Sequence, residues 1–190
     1  MVCETTKPER TPLLPLRHEQ GDFFVCDIFD AAPKGDMASM AHPIFTLSTK
    51  PDTKKRRYEA PDGESYVEIR PNMIGLATMH DRDVLIYCIS QVMAALKDGK
   101  QVHRTLRFKA FDLLVATNRP TAGTGYAGLK SALERLQGTQ IETNITTGGV
   151  EQIDGFSLID RYRIVRETRD GRMLDLEVTL SDWTFNAIAG

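Results

Sequence analysis

Residues 109–138 read KAFDLLVATNRPTAGTGYAGLKSALERLQG, and this stretch decides the fold. Two segments with helical apolar spacing flank a proline turn. In the first, over 109–117, Phe111, Leu114 and Val115 share one side. Asn118-Arg119-Pro120 ends it, because proline disfavours helical geometry in the residue before it. In the second, over 125–137, Tyr126, Leu129, Leu133 and Leu136 fall within about one quadrant at roughly 100° per residue. That quadrant must be buried, and Gly138 closes the segment. The opposite side carries Thr124, Ala127, Gly128, Ser131 and Arg135, with Lys130 and Glu134 flanking. Glycine inside a helix costs about 1 kcal/mol against alanine. At Gly128, beside Ala127, that cost would let the helix backbone approach a partner closely.

The pattern extends in both directions from this pair. A helix over 81–97, with Asp81 as N-cap and Asp98-Gly99 as stop, is apolar round most of its circumference through Val84, Leu85, Ile86, Ile89, Val92, Met93 and Leu96. Such a helix belongs at the centre of a core. A brief strand over 102–108 follows it. Beyond Gly138, Ile141, Thr143 and Ile145 alternate with Glu142 and Asn144 in a strand that runs into Thr147-Gly148-Gly149. A return strand over 156–166, a turn at Asp170-Gly171 and a strand over 173–180 come next. Ser181-Asp182 then opens a short helix with Trp183, Phe185 and Ile188. Upstream, 43–49 reads as a strand with Ile44, Phe45 and Leu47, and 56–59 pairs with 65–70 across Pro61-Asp62-Gly63. Residues 1–42, punctuated by proline, read as an arm that packs on the domain formed by 43–190.

Helix, strand, helix, turn, helix, strand, glycine loop, strand is the order of a winged helix-turn-helix. The fold class is therefore α+β, a winged helix-turn-helix with an N-terminal arm and additional β-strands. Its third helix would enter a major groove of double-stranded DNA. Thr124, Lys130, Ser131 and Arg135 are residue types that bond base edges or phosphates there. Lys109 and Arg119, at the ends of the preceding helix, would hold phosphates. The tip Thr146, Thr147, Gly148 and Gly149 would act as the wing.

Composition fits this reading after one correction. With 190 residues, 41% hydrophobic and 26% charged, the chain suits one domain plus an arm. No apolar run approaches the ~18–20 residues that span a bilayer, and Met1-Val2-Cys3-Glu4 lacks the order of a signal peptide. A cytoplasmic protein with no membrane partner is expected. The net charge of −2 argues against DNA only as an average. The first forty residues hold four basic groups against seven acidic ones. Lys54-Lys55-Arg56-Arg57, then Arg104, Arg107 and Lys109, then Arg161, Arg163, Arg166, Arg169 and Arg172 invert the balance. Any one of these clusters reads as solvated surface, whereas three in a small chain point to a polyanion.

Several chemistries are disfavoured. Gly123-Thr124-Gly125-Tyr126-Ala127-Gly128 spells GxGxxG, yet a helix and Arg119-Pro120 precede it where a dinucleotide site needs a strand. Lys130-Ser131 resembles the end of a phosphate-binding loop, but Leu129 stands where glycine is required. Cys3, Cys26 and Cys88 are odd in number and lack CxxC spacing, so neither zinc nor a disulfide framework is indicated. His18, His42, His80 and His103 are scattered, and no nucleophile stands in a catalytic motif. The expectation is a protein without enzymatic activity, metal or cofactor.

Longer runs carry a resemblance. Leu13-Leu14-Pro15-Leu16-Arg17-His18, Asp22-Phe23-Phe24-Val25-Cys26-Asp27-Ile28-Phe29 and Asp36-Met37-Ala38-Ser39-Met40 with His42-Pro43-Ile44-Phe45 open the match. Leu85-Ile86-Tyr87-Cys88-Ile89-Ser90-Gln91, Asp112-Leu113-Leu114-Val115-Ala116-Thr117-Asn118-Arg119-Pro120 and Leu176-Glu177-Val178-Thr179-Leu180-Ser181-Asp182-Trp183 continue it. Together they resemble the plasmid replication initiator protein A family of proteobacteria across nearly the whole chain. The resemblance implies binding to repeated sites at a plasmid origin, duplex opening and recruitment of host replication initiation proteins. It also implies a homodimer that represses its own promoter. Related initiators pair two winged helices and this sequence displays one, so the chain is expected to be short of a complete initiator. Two rival readings stand beside it. One is a winged-helix transcriptional regulator with no replication role. The other is a dimerisation or protein-interaction module, favoured by Phe23-Phe24 and by apolar residues at both parities of 156–166.

Overall fold

Thr78 and Asp81 set where the central helix begins. In the computed structural model, which describes residues 44–189 except 62, 64, 148, 149, 168 and 170, helix α1 spans Met79–Lys97. Thr78 is its N-cap, and Asp81 sits at the third helical position, completing a capping box, so Asp81 is not itself the cap. At the other end the Gly99 and Lys100 amides donate to Leu96 and Ala95, and Gly99 adopts a φ of 68°. This glycine stop satisfies the last carbonyls. Val84, Leu85, Cys88, Ile89 and Val92 are buried along α1. Each large aliphatic side chain so placed contributes roughly 1.5–3 kcal/mol of burial.

The strands divide into two sheets. β1 (Arg56–Glu59), β2 (Tyr66–Arg70), β4 (Gln140–Thr147) and β5 (Val150–Ser157) form a four-stranded sheet in the order β1-β2-β4-β5. β3 (Thr105–Lys109), β7 (Met173–Leu180) and β6 (Ile159–Arg166) form a three-stranded one in the order β3-β7-β6. Every pairing between neighbours is antiparallel. Between β3 and β4 lie α2 (Ala110–Ala116) and α3 (Gly123–Gly138), and α4 (Asp182–Ala189) follows β7. One continuous cluster of buried side chains joins α1, α2, α3 and both sheets, with Ile69, Leu85, Leu113, Leu133, Ile141 and Leu176 among its largest members.

Three expectations change. The strand expected over 43–49 is reduced to a single bridge between Thr46 and Thr78. Its hydroxyls capture the backbone donors instead, Thr46 Oγ1 accepting from the Ser48 amide (3.2 Å) and Ser48 Oγ from the Lys50 amide (3.1 Å). Such local bonds compete with a ladder. Phe111 is 53% exposed, and the buried face of α2 is Ala110, Leu113 and Leu114.

The third change matters most. The return strand expected over 156–166 is two strands, β5 and β6, separated by the fully buried Leu158. The Leu158 carbonyl accepts from the Thr184 hydroxyl (3.1 Å), and the chain passes from one sheet to the other at this point. The mixed parity arises at the passage itself, where the adjacent Leu158 and Ile159 are both buried, and from Val165, which is 41% exposed. Phe156 stacks on Trp183 at 4.6 Å beside the crossing. Among the described residues no helix is long and apolar enough to cross a membrane.

Candidate nucleic-acid interface

The turn between α2 and α3 depends on two unusual positions. Asn118 adopts a φ of 53°, a left-handed conformation that asparagine tolerates better than most residues. Around it the Asn118 amide donates to Val115 (3.1 Å) and the Arg119 amide to Leu114 (2.8 Å), the paired bonds of a Schellman stop. Gly125 lies so close to the Pro120 carbonyl that an added Cβ would sit 1.7 Å from its oxygen. Only glycine allows this approach of helix to turn.

From that turn α3 runs with its two halves in different surroundings. Gly123, Thr124 and Ala127 are exposed, and Gly128 has open space where a Cβ would stand. Lys130 is 48% exposed at its side chain and pairs with Glu134 at 2.8 Å, a bond that raises its pKa. Ser131 is partly exposed. These positions form the outward face expected from the periodicity. Leu129, Ala132, Leu133 and Leu136 form the buried one, with Tyr126 partly buried beside them.

Arg135 departs from its expected place on the outward face. Its Nε and Nη2 donate to the two oxygens of Asp81, at 2.6 and 2.8 Å, and Asp81 is 1% exposed at its side chain. The hydrogen bond to Asp81 raises the Arg135 pKa, so the guanidinium stays charged. The physical reason is the capping box. It places a buried carboxylate beside α3, and that carboxylate requires a cation. Arg119 is also folded inward, donating through Nη2 to the His80 carbonyl, and burial lowers its pKa. Lys109 remains exposed at the junction of β3 and α2.

The β4–β5 hairpin, expected to carry the wing, belongs to the four-stranded sheet and not to the sheet of β3. Thr146 and Thr147 pair with Glu151 and Val150 at the far end of β4–β5, while Gly148 and Gly149 lie outside the described residues. That hairpin joins β2, whereas the hairpin sharing a sheet with β3 is β6–β7. Its turn is closed by the Glu167 amide donating to Arg172 (2.8 Å) and the Gly171 amide donating to Glu167 (2.9 Å), with Gly171 at a φ of 70°. Arg166, Arg169 and Arg172 are exposed around it, and the Arg166 charge offsets a small part of the rise that Glu134 causes in the Lys130 pKa. In the sequence these arginines stand only as part of one of three basic clusters. Their spacing around Asp170-Gly171 was the available signal, hidden once 156–166 was read as one strand.

The three-stranded sheet carries further arginines on its outer face. Arg107 and Arg163 flank Glu177 at 2.9 and 3.6 Å, and the hydrogen bond from Arg107, ahead of the nearby arginine charges, lowers the Glu177 pKa. In the four-stranded sheet the buried Glu68 gathers Lys55, Arg57 and Arg70, the first and last of which hold its pKa down by hydrogen bonding. Cations there are spent on a carboxylate inside the sheet face. Around α3 and the β6–β7 turn the exposed cations pair with surface carboxylates instead, Lys130 with Glu134 and Arg172 with Glu167 (3.3 Å).

Comparisons with known proteins bear on this arrangement. A protein of Wigglesworthia glossinidia brevipalpis named "Putative replication protein" is 32% identical over 171 residues, covering 88% of this chain and 61% of its own length. The chain thus spans about three fifths of that relative. A crystal structure of domains 2 and 3 of RctB, from selenomethionine derivatives, is similar at a TM-score of 0.57 and 13% identity, covering 78% of this chain and 59% of that one. A second structure of RctB domains 2–3 gives 0.54 at 14% identity, over 76% of this chain and 56% of that one. At such identity the likeness is one of fold. The family model for RPA, replication initiator protein A, matches residues 34–190. With that match over most of its length, the chain belongs to the replication initiator protein A family.

Proposed function

We propose that the chain is a winged-helix unit that binds double-stranded DNA at a plasmid origin and so initiates replication of the plasmid. The observation that carries this reading is the outward face of α3, where Thr124 and Lys130 are exposed and Ser131 partly so, with Lys130 bridged to Glu134 of the same helix. The order of β3, α2 and α3, then β6–β7 after the intervening β4–β5, with the sheet order β3-β7-β6, supports a winged-helix reading. On this reading α3 enters the major groove by its N-terminal half. The β6–β7 turn, with Arg166, Arg169 and Arg172, follows the neighbouring backbone, and Lys109 holds a phosphate. The role is one of binding and recruitment of host replication initiation proteins, and it uses no catalytic residue, metal or cofactor.

The experiment is footprinting on the DNA flanking the chain's own gene, with affinity measured across a salt series. Protected repeats and a log–log slope near −0.9 per neutralised phosphate are expected. Absence of salt-dependent binding overturns the reading. One observation favours a homodimer in addition. Among the described residues β5 is an edge strand of its sheet and carries Ile153, which is 60% exposed. Exposed edges of this kind invite pairing. Sedimentation with and without DNA tests it, and a monomer in both conditions removes it.

A further inference from the structure

We infer that Asp81 and Arg135 are positioning residues that fix how α3 is presented to DNA. This rests on the DNA-reading role of α3 and assigns that role a control outside the contact surface. One carboxylate does two jobs. Asp81 Oδ2 accepts from the Thr78 amide (2.8 Å), which caps α1, and from Arg135 Nε (2.6 Å), while Oδ1 accepts from Arg135 Nη2 (2.8 Å). A two-pronged bond of this kind constrains orientation as well as distance, which a single contact cannot do. The start of α1 therefore sets the roll of α3 about its own axis.

Neighbouring contacts hold α3 to the same stretch of chain. The Arg119 guanidinium, at the entrance of α3, donates to the carbonyl of His80, the residue before Asp81. The Asn72 side chain donates through Nδ2 to the Glu134 carbonyl (3.0 Å), and the Ala77 backbone amide donates to the Thr139 hydroxyl (2.9 Å). Residues 72–81 thus grip α3 along its C-terminal half and touch the turn before its first residue. Arg135 stands eleven residues beyond Thr124, roughly 16 Å along the axis. A small roll released at the clamp is carried undiminished to Thr124 and Ser131. The guanidinium cannot also serve as a contact, because turning it outward would strand a buried carboxylate.

The test uses the full chain with two probes, a duplex selected from a random-sequence pool by the wild-type protein and an unselected duplex of equal length. Asp81→Asn and Arg135→Gln are each expected to weaken binding of the selected duplex about tenfold. The unselected duplex should bind as before, with an unchanged salt slope. The double variant should be no worse than either single one, because both remove the same interaction. Where a single variant fails to fold, Asp81→Asn with Arg135→Gln leaves no buried charge and carries the test alone. Three results overturn the inference. In one, Arg135→Gln reduces the salt slope by about 0.9 while Asp81→Asn binds as tightly as the wild type, which makes Arg135 a phosphate contact. In another, folded variants keep their full preference for the selected duplex, which makes the clamp purely architectural. In the last, the wild-type chain selects no duplex and binds none, which removes the DNA-reading role itself and is recognisable before any variant is made.

Discussion

The two halves of α3 have opposite surroundings although they belong to one uninterrupted helix. The C-terminal half is buried along Ala132, Leu133 and Leu136 and tied through Arg135, Glu134 and Thr139 to residues 72–81. The N-terminal half leaves Gly123, Thr124 and Ala127 to solvent, while its inner side is held by the buried Leu129 and where Gly125 meets Pro120. A helix that must enter a groove needs both conditions at once. It needs a rigid root that fixes its axis, and a tip free of competing protein contacts. On the DNA-binding role proposed for α3, polarity is a poor guide to the working end. Arginine, the side chain most suited to bases, lies in the root, whereas the tip is rich in glycine and alanine.

The largest effect that would break this division is expected at Gly125. A Cβ there would lie 1.7 Å from a backbone oxygen of Pro120, which has no side-chain freedom with which to yield. Gly125→Ala should therefore part α2 from α3 and lower unfolding free energy by roughly 3 kcal/mol. Urea denaturation measures it. A loss below about 1 kcal/mol would mean that the turn relaxes easily and that the tip is not held there.

Next in size are effects on binding without effects on folding. Lys130 and Arg166 lie on the surface shared by α3 and β6, and neither is needed for a buried contact. Lys130→Ala and Arg166→Ala should each reduce the slope of log affinity against log salt by about 0.9 and leave the melting temperature nearly unchanged. Arg161→Ala, on the outer face of the three-stranded sheet, should leave the slope as it was. An equal loss from all three would spread the interface around the molecule and dissolve the contrast between root and tip.

The sequence made much of this visible, for reasons particular to each element. The turn at Asn118-Arg119-Pro120, the apolar quadrant of α3 and the alternation in β4 and β7 are local, so chain order alone reveals them. Partnership between distant residues is not local. Glycine at 148 and 149 marks a hairpin, but nothing in it says whether β4 will pair with β2 or with β3. The passage between sheets at Leu158 was hidden because an apolar residue continues a strand pattern as well as it ends one. The inward turn of Arg135 is not legible, because helical periodicity places a side chain on a face and cannot see a carboxylate 54 residues away. Placement of Asp81 at the third position of α1 depends on Thr78, whose capping box was itself legible as Thr-x-x-Asp.

The smallest expected effect sharpens the comparison best, because it separates stability from function at one atom. Gly128 lies in the tip of α3 with ordinary helical dihedrals and nothing within 4 Å of a built Cβ. In an isolated fold Gly128→Ala should therefore stabilise the protein by about 0.5–1 kcal/mol, by restricting the unfolded chain and improving helix propensity. Natural choice of the weaker residue at an open position calls for a reason outside the fold, and close approach of a groove wall supplies one. The same methyl group should then weaken DNA binding several-fold while the melting temperature rises. Gly125→Ala would lower both together, since its clash is internal. If Gly128→Ala raised stability and left DNA affinity intact, the tip of α3 would be free of protein and free of DNA as well, and the β6–β7 turn would have to carry recognition.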